Sequence, residues 1–387
     1  MNKWIKWLLG LLVLLAGLFF LLAPGYVEQS LNRRVSVPIS PATADALALH
    51  EKLLIADMHA DTLLWKRSLL ESSSRGHVDL PRLQAGNVGL QIFSTVTKSP
   101  SSLNYDSNSA DSDTIGALAF AQLQPPSTWR SLLARSLWHA EKLETAIASS
   151  DRLVAIKTRD DLEQLVVRRQ RGDPVVGAML SVEGLHNLEG AAANLPVLFE
   201  AGYRMAGLTH FFDNALAGSM HGIEKGGLTQ FGREIVRSME SMGMVVDIAH
   251  LSSRGVDEVL LMATRPVVVS HGGVRALCET NRNLSDAQIR GIAQTGGVIG
   301  VGYWAGALCD TRPASVAKAI VYIRDLVGIE HAGLGSDFDG AVTVSFDASE
   351  LALITQALMD EGLTDHEISL VMGLNVMRVL ATVLPSD

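Results

Sequence analysis

The sequence predicts an α/β fold, a closed (β/α)8 barrel, on three observations. Eight short apolar runs recur along the 387 residues, helical patterning separates most of them, and most of the runs stop at an ionisable side chain. Parallel strands must be joined by crossovers of a dozen or more residues, so alternating strand and helix segments pair in parallel. A barrel of such strands brings all their C-terminal ends to one rim, where chemistry collects. An open, doubly wound sheet is the weaker choice, because no Gly-rich phosphate fingerprint follows the first strand.

Taken in order, residues 1–25 read as a membrane anchor or signal segment. Lys3 and Lys6 precede WLLGLLVLLAGLFFLLA (7 to 23), 17 apolar residues that reach the lower limit for crossing a bilayer. An uncleaved, single-pass anchor is the expectation, with the lysines cytoplasmic and the folded domain on the periplasmic or extracellular side. A cleaved signal peptide is the alternative, with Ala23-Pro24-Gly25 as a small-x-small site. Residues 26–45 are polar and irregular and read as a tether, and residues 46–387 read as one barrel domain.

The eight runs are LLIADMHAD (53 to 61), VGLQIFSTV (88 to 96), VVGAMLSVEG (175 to 184), YRMAGLTHF (203 to 211), VVDIAHL (245 to 251), VVVSHG (267 to 272), GVIGVGY (297 to 303) and AGLGSDFD (332 to 339). Between them, Phe231, Ile235, Met239 and Met242 make an apolar stripe after Thr229, the spacing of a helix packed on a sheet. Similar helices are predicted over 257–263, 286–293, 316–327 and 364–380. The alternation fails between the second and third runs, where an insertion at about 97–150 would overhang the rim as a lid or wall, or run over the surface passively.

Composition narrows the function. A net charge of -9 with scattered Lys and Arg argues against nucleic acid, whose phosphates demand a basic face. A small molecule or peptide fits better. The two cysteines, Cys278 and Cys309, suit an exported protein with one bridge or none.

The chemistry lies in seven residues where runs end: His59, Asp61, Glu183, His210, His250, His271 and Asp337. His59 and Asp61 are two apart on an extended segment, so their side chains leave one face and can share an ion. Glu183, His250 and His271 complete a two-metal site in which Glu183 bridges: one ion takes His59, Asp61 and Glu183, the other Glu183, His250 and His271. Imidazole and carboxylate donors without sulfur suit two zinc ions per chain in an open, catalytic arrangement. One histidine at a strand end is commonly a hydrogen-bonded core residue. Several at the same end of separate strands are a poor coincidence. His186 reads as a neighbour of the site, and His50, His77, His139, His221, His331 and His366 receive no role.

These stretches resemble the membrane dipeptidases, also called renal dipeptidases, zinc peptidases of the amidohydrolase superfamily of TIM barrels. The resemblance is carried by DMHADTLLW (57 to 65), SVEGLHNLE (181 to 189), GLTHFFDN (207 to 214), DIAHLS (247 to 252), VVVSHGG (267 to 273), ETNRNLSD (279 to 286) and GLGSDFDG (333 to 340), and spans roughly 45–380. It implies the same five zinc ligands, His210 as the substrate contact that steadies the oxyanion, and Asp337 as the residue that moves the proton. It also implies that Arg282 holds the terminal carboxylate of a dipeptide, that Tyr303 touches the substrate backbone, and that Cys278 and Cys309 form a disulfide. The activity it implies is hydrolysis of small dipeptides with a free C-terminal carboxylate through a metal-bridging hydroxide. Animal members carry a C-terminal lipid-anchor signal, whereas this sequence ends ATVLPSD, so attachment is expected from the N-terminal segment. A homodimer is compatible with the sequence. Another amidohydrolase-type hydrolase (deaminase, lactonase or N-acyl amino acid hydrolase) and a non-catalytic, membrane-tethered binding protein are the alternatives.

Overall fold

The structure, a computed structural model, describes residues 2–386. Nine parallel strands form the central sheet: β1 (Ile55–Ala60), β2 (Val88–Phe93), β3 (Leu153–Ala155), β4 (Val176–Val182), β5 (Tyr203–Gly207), β6 (Val245–Asp247), β7 (Val268–Gly272), β8 (Val298–Val301) and β9 (Ala332–Leu334). Eight of them close a ring. β2 pairs with β4, and β9 returns to β1 through Leu334 and Asp57. The ring is distorted by β3, which pairs with the first half of β4 (Leu153 to Val176) while β5 pairs with its second half, Leu180 to Val182. The short strand is a wedge at the foot of the barrel.

Alternation along the strands sorts side chains to the two faces. Ala56, Met58, Leu90, Ile92, Met179, Met205, Val245, Val268 and Val298 share one buried cluster that fills the barrel. Ile55, Val88, Leu180, Val246, Val269, Ile299 and Leu334 belong to another, under the surrounding helices. Burial on both faces is why each strand reads as a continuous apolar run rather than an alternating one. The helix Gln230–Met242 takes its N-cap from Thr229, whose side chain accepts from Gly232 N–H, and buries Ile235, Val236 and Met239. The stretch Asp365–Val383 is long and apolar enough to cross a membrane, yet it is more than half buried. Its Val376, Val379, Leu380 and Val383 join the interior cluster and plug the barrel at the end opposite the ligand rim.

Residues 26–31, expected to begin an irregular tether, instead continue the N-terminal helix α1 (Lys3–Leu31). Tertiary contacts hold this end. Glu28 is buried, accepting from Arg67 Nε at 2.6 Å and Arg75 Nε at 3.0 Å. Arg67 in turn pairs with Asp339, which also accepts from Thr62 Oγ1 (2.7 Å) and His77 N–H (2.6 Å). Just beyond, Asn32 Oδ1 accepts from Ala341 N–H, and Arg33–Arg34 pair in parallel with Thr343–Val344. Glu28→Ala is therefore expected to cost about 3 kcal/mol or more, since it leaves Arg67 buried with half its compensation. Denaturant unfolding of the full chain in detergent measures this, and an unchanged midpoint would return the segment to the status of a loose tether.

Candidate active site

Each predicted site residue at a run end is positioned by the end of a strand. His59 and His271 lie on β1 and β7, Glu183 follows β4 directly, and His210, His250 and Asp337 sit three residues past β5, β6 and β9. Two buried aspartates fix these ends. Asp57 Oδ1 accepts from His59 N–H and Ser336 N–H, both at 3.0 Å, while Asp247 Oδ1 accepts from Ala249 N–H and Ser270 N–H, both at 2.9 Å. Each aspartate thus ties its own strand end to the neighbouring one.

Glu183 is the centre. Its Oε1 lies 2.7 Å from His250 Nε2, 3.2 Å from His271 Nε2 and 3.8 Å from His59 Nε2, and its Oε2 lies 3.2 Å from His210 Nε2. His59 Nε2 is also 3.6 Å from Asp61 Oδ2 and 3.9 Å from Asp337 Oδ1. Three overlapping groups of donors result: His59, Glu183 and His271; Glu183, His210 and His250; and His59, Asp61 and Asp337. All seven run-end residues are brought to one mouth. The grouping differs from the expected partition by setting Asp337 beside His59 and Asp61, and His210 beside His250.

The histidine orientations are built in. Ser270 Oγ lies 3.2 Å from His59 Nδ1 and 2.8 Å from His271 Nδ1. A hydroxyl oxygen can accept from both Nδ1–H groups, which turns both Nε2 atoms toward the centre. His59 Nε2 is buried there without a hydrogen-bond partner. Backbone conformation also serves the site: His250 and Asp337 hold positive φ values of 61° and 59°, a cost that a packed surrounding must absorb. Gly340 has no alternative, because a Cβ there would stand 2.0 Å from Asp337 Oδ1 and 2.9 Å from Asp61 Oδ2.

Electrostatics follow from seven buried ionisable groups in one mouth. Burial holds His250 and His271 well below the ordinary imidazole value, so both are neutral donors. Burial opposes the charge on His59 too, but Asp61, Glu183 and Asp337 outweigh it and push it up to about 10. Burial likewise disfavours ionised Glu183, and His210, His271 and His59 overcome that, keeping it below the usual carboxylate range. Asp337 goes the other way. Burial lifts it well above that range; His59 pulls it back, and Asp61 and Glu183 lift it again.

Arg282 is buried at the same mouth, its Nη2 donating to His271 O at 2.7 Å and its guanidinium 5.6 Å from the Trp304 ring. Cys278 and Cys309 are joined in a disulfide with Cα atoms 5.5 Å apart, linking the loops after β7 and β8. Tyr303 is fully buried with its ring 5.4 Å from Phe338 and 5.2 Å from Phe346. The next residue, Trp304, faces His271 instead, and its Nε1 donates to Tyr105 Oη at 2.8 Å.

Sequence reasoning missed Trp304 and Tyr105, along with two histidines. His221 lies 5.4 Å from the His250 ring and 4.7 Å from Phe211, and His77 Nδ1 accepts from Asp339 N–H. His186 packs close by, bonded to Thr97 Oγ1.

The family model for membrane dipeptidase (Peptidase family M19) matches residues 43–385. Dipeptidase verJ of Clonostachys rogersoniana is 30% identical over 315 residues, 79% of this chain and 76% of that protein. Among solved structures, the probable dipeptidase PvdM from Pseudomonas aeruginosa superposes with a TM-score of 0.74 at 19% identity, covering 88% of this chain and 98% of that one. A metallo peptidase from Rhodobacter sphaeroides, liganded with a phosphinate mimic of the dipeptide L-Ala-D-Ala, superposes with a TM-score of 0.66 at 21% identity, covering 86% and 99%. At these identities the two structures speak for the fold.

Proposed function

Since this chain belongs to the membrane dipeptidase family, Peptidase family M19, we propose that it is a zinc-dependent dipeptidase cleaving small dipeptides with a free C-terminal carboxylate. The observation that carries this reading is the set of four imidazoles around one buried carboxylate, Glu183, with Asp61 and Asp337 alongside. The donors fit two zinc ions. They are nitrogen and carboxylate oxygen without sulfur, His59 Nε2 is buried and unpartnered, and the acids already draw a positive charge onto His59. His59 and Asp61 would hold one ion, His250 and His271 the other, with Glu183 shared. A bound pair of zinc ions would lower the pKa of water so that a nucleophile is available near neutral pH.

The protein's own groups do the rest. His210 stands at the free side of Glu183, placed to donate to the oxyanion that develops on the scissile carbonyl. Asp337, as the carboxylate, takes the water proton and so becomes the acid form that its burial favours, which passes the proton to the departing amine. Arg282 offers its remaining N–H donors to the substrate carboxylate, a planar match for a fork. Trp304 and Tyr105 wall the mouth beside it, and they replace Tyr303 in our account of the substrate contact.

Alanine in place of Arg282 is expected to lower kcat/KM on free dipeptides about 10- to 100-fold, the loss of charge-assisted hydrogen bonds. C-terminally amidated dipeptides should change little, and zinc content should not change. Equal losses on both substrates would remove the clamp. Localisation follows α1, with the domain held outside the cytoplasmic membrane; a disulfide suits that side. The whole reading is tested by zinc quantification and a dipeptide panel on the purified full chain. About two zinc ions with no dipeptide hydrolysed would overturn it in favour of another hydrolase of the same superfamily or a binding protein.

A further inference from the structure

The insertion after β2 exposes three large apolar side chains within ten residues: Phe120 (43% exposed), Leu123 (59%) and Trp129 (37%). Other exposed apolar residues of the domain, such as Val167, Val197 and Leu261, stand singly along the chain. The cluster joins α1 ring to ring. Phe19 and Phe20 are 5.2 Å apart, Phe20 and Phe120 5.4 Å, and Phe120 and Trp129 5.1 Å, each pair edge to face. We propose that residues 114–130 are a second membrane contact, seated in the interfacial layer of the bilayer that α1 crosses. This rests on reading α1 as an uncleaved span.

Depth supports it. Phe20 stands three residues before Ala23, the end of the apolar run, so it lies about 4.5 Å inside that end at 1.5 Å per residue. A ring packed on Phe20 is therefore at the level where the hydrocarbon gives way to headgroups. At the other end of the span Trp4 and Trp7 are exposed beside Lys3 and Lys6, as in an aromatic belt. Trp129 has the amphipathic form that such a belt uses: its Nε1 donates to Gln124 O at 3.0 Å, leaving the ring as the apolar part.

The segment is also held rigid for the purpose. Asp113 caps the helix Thr114–Ala121, whose Ile115 and Leu118 pack with Leu64, Trp65 and Val27 of α1, so Phe120 points away from the domain. Buried Arg135 donates to Thr97 O, Thr128 O, Trp129 O and Asp113 Oδ2, pinning both ends of the stretch. Leu123 has φ 59°, a conformation that glycine or asparagine adopts without strain, and here it thrusts a leucine into the surroundings. Water offers no reason for that choice; a lipid surface does. Tyr105 of the same insertion accepts from Trp304 at the mouth, so one insertion carries both the proposed membrane contact and a wall of the candidate site.

The test uses the full chain in phosphatidylcholine/phosphatidylglycerol nanodiscs. Its two native cysteines are in the disulfide, so nitroxides can be placed singly at Leu123→Cys, at Leu14→Cys in the span and at Leu261→Cys on the far helix Ser253–Met262. The readout is collision with oxygen relative to collision with a water-soluble nickel chelate. The expected result is a ratio at position 123 several-fold above that at 261, and below that at 14. A ratio at 123 equal to that at 261, with 14 embedded, overturns the proposal and leaves the anchor intact. An aqueous ratio at 14 overturns the anchor reading and the proposal with it.

Discussion

The Glu183→Gln variant is expected to retain fewer than two zinc ions per chain and to lose turnover by about 10³-fold or more. Four imidazole nitrogens lie within 3.8 Å of this one carboxylate, so both of the proposed ions would lose a ligand and the charge that binds them when it becomes an amide. Several kcal/mol of charge stabilisation then disappear, at roughly 1.4 kcal/mol per tenfold in rate. Metal analysis of the purified variant beside a dipeptide assay checks it. Two ions retained, with normal turnover, would show that Glu183 is a hydrogen-bonding strut rather than the shared ligand.

Asp337→Asn separates proton transfer from metal binding. Turnover is expected to drop about 10² to 10⁴-fold, the usual worth of a general acid/base, with zinc content unchanged. The reason is positional. Asp337 Oδ1 lies 3.9 Å from His59 Nε2, farther than Asp61, and its backbone strain aims the carboxyl into the mouth, where burial keeps it ready to hold a proton. An asparagine preserves shape and cannot carry that proton. If zinc falls in this variant, Asp337 is a ligand, as its grouping with His59 and Asp61 would allow.

Most of the barrel was legible because strands buried on both faces leave apolar runs, and the ligand rim was legible because those runs end in His, Asp or Glu. Four things were not. β3 is three residues long, Leu153–Ala155, too short to show any period. Residues 26–31 look irregular, and what makes them helical is Glu28 meeting Arg67 and Arg75 from elsewhere in the chain. Tyr303 and Trp304 are neighbours past the end of β8, yet Tyr303 packs on Phe338 and Phe346 while Trp304 lies beside His271 and Arg282, a difference the motif alone does not carry. Tyr105 lies in a polar stretch without periodicity, and only the fold reveals that it reaches Trp304.

The Glu28 to Arg67 to Asp339 relay bears on how a water-soluble form of this enzyme is to be prepared. Trimming at Pro24 discards the greasy stem but keeps Glu28, so Arg67 still meets both of its acids. Trimming at Val35 removes Glu28, Asn32 and the short pairing with Thr343–Val344, and so unfastens the stretch that begins two residues after Asp337. Eleven residues at the cut decide whether the released domain arrives with the loop after Asp337 fastened.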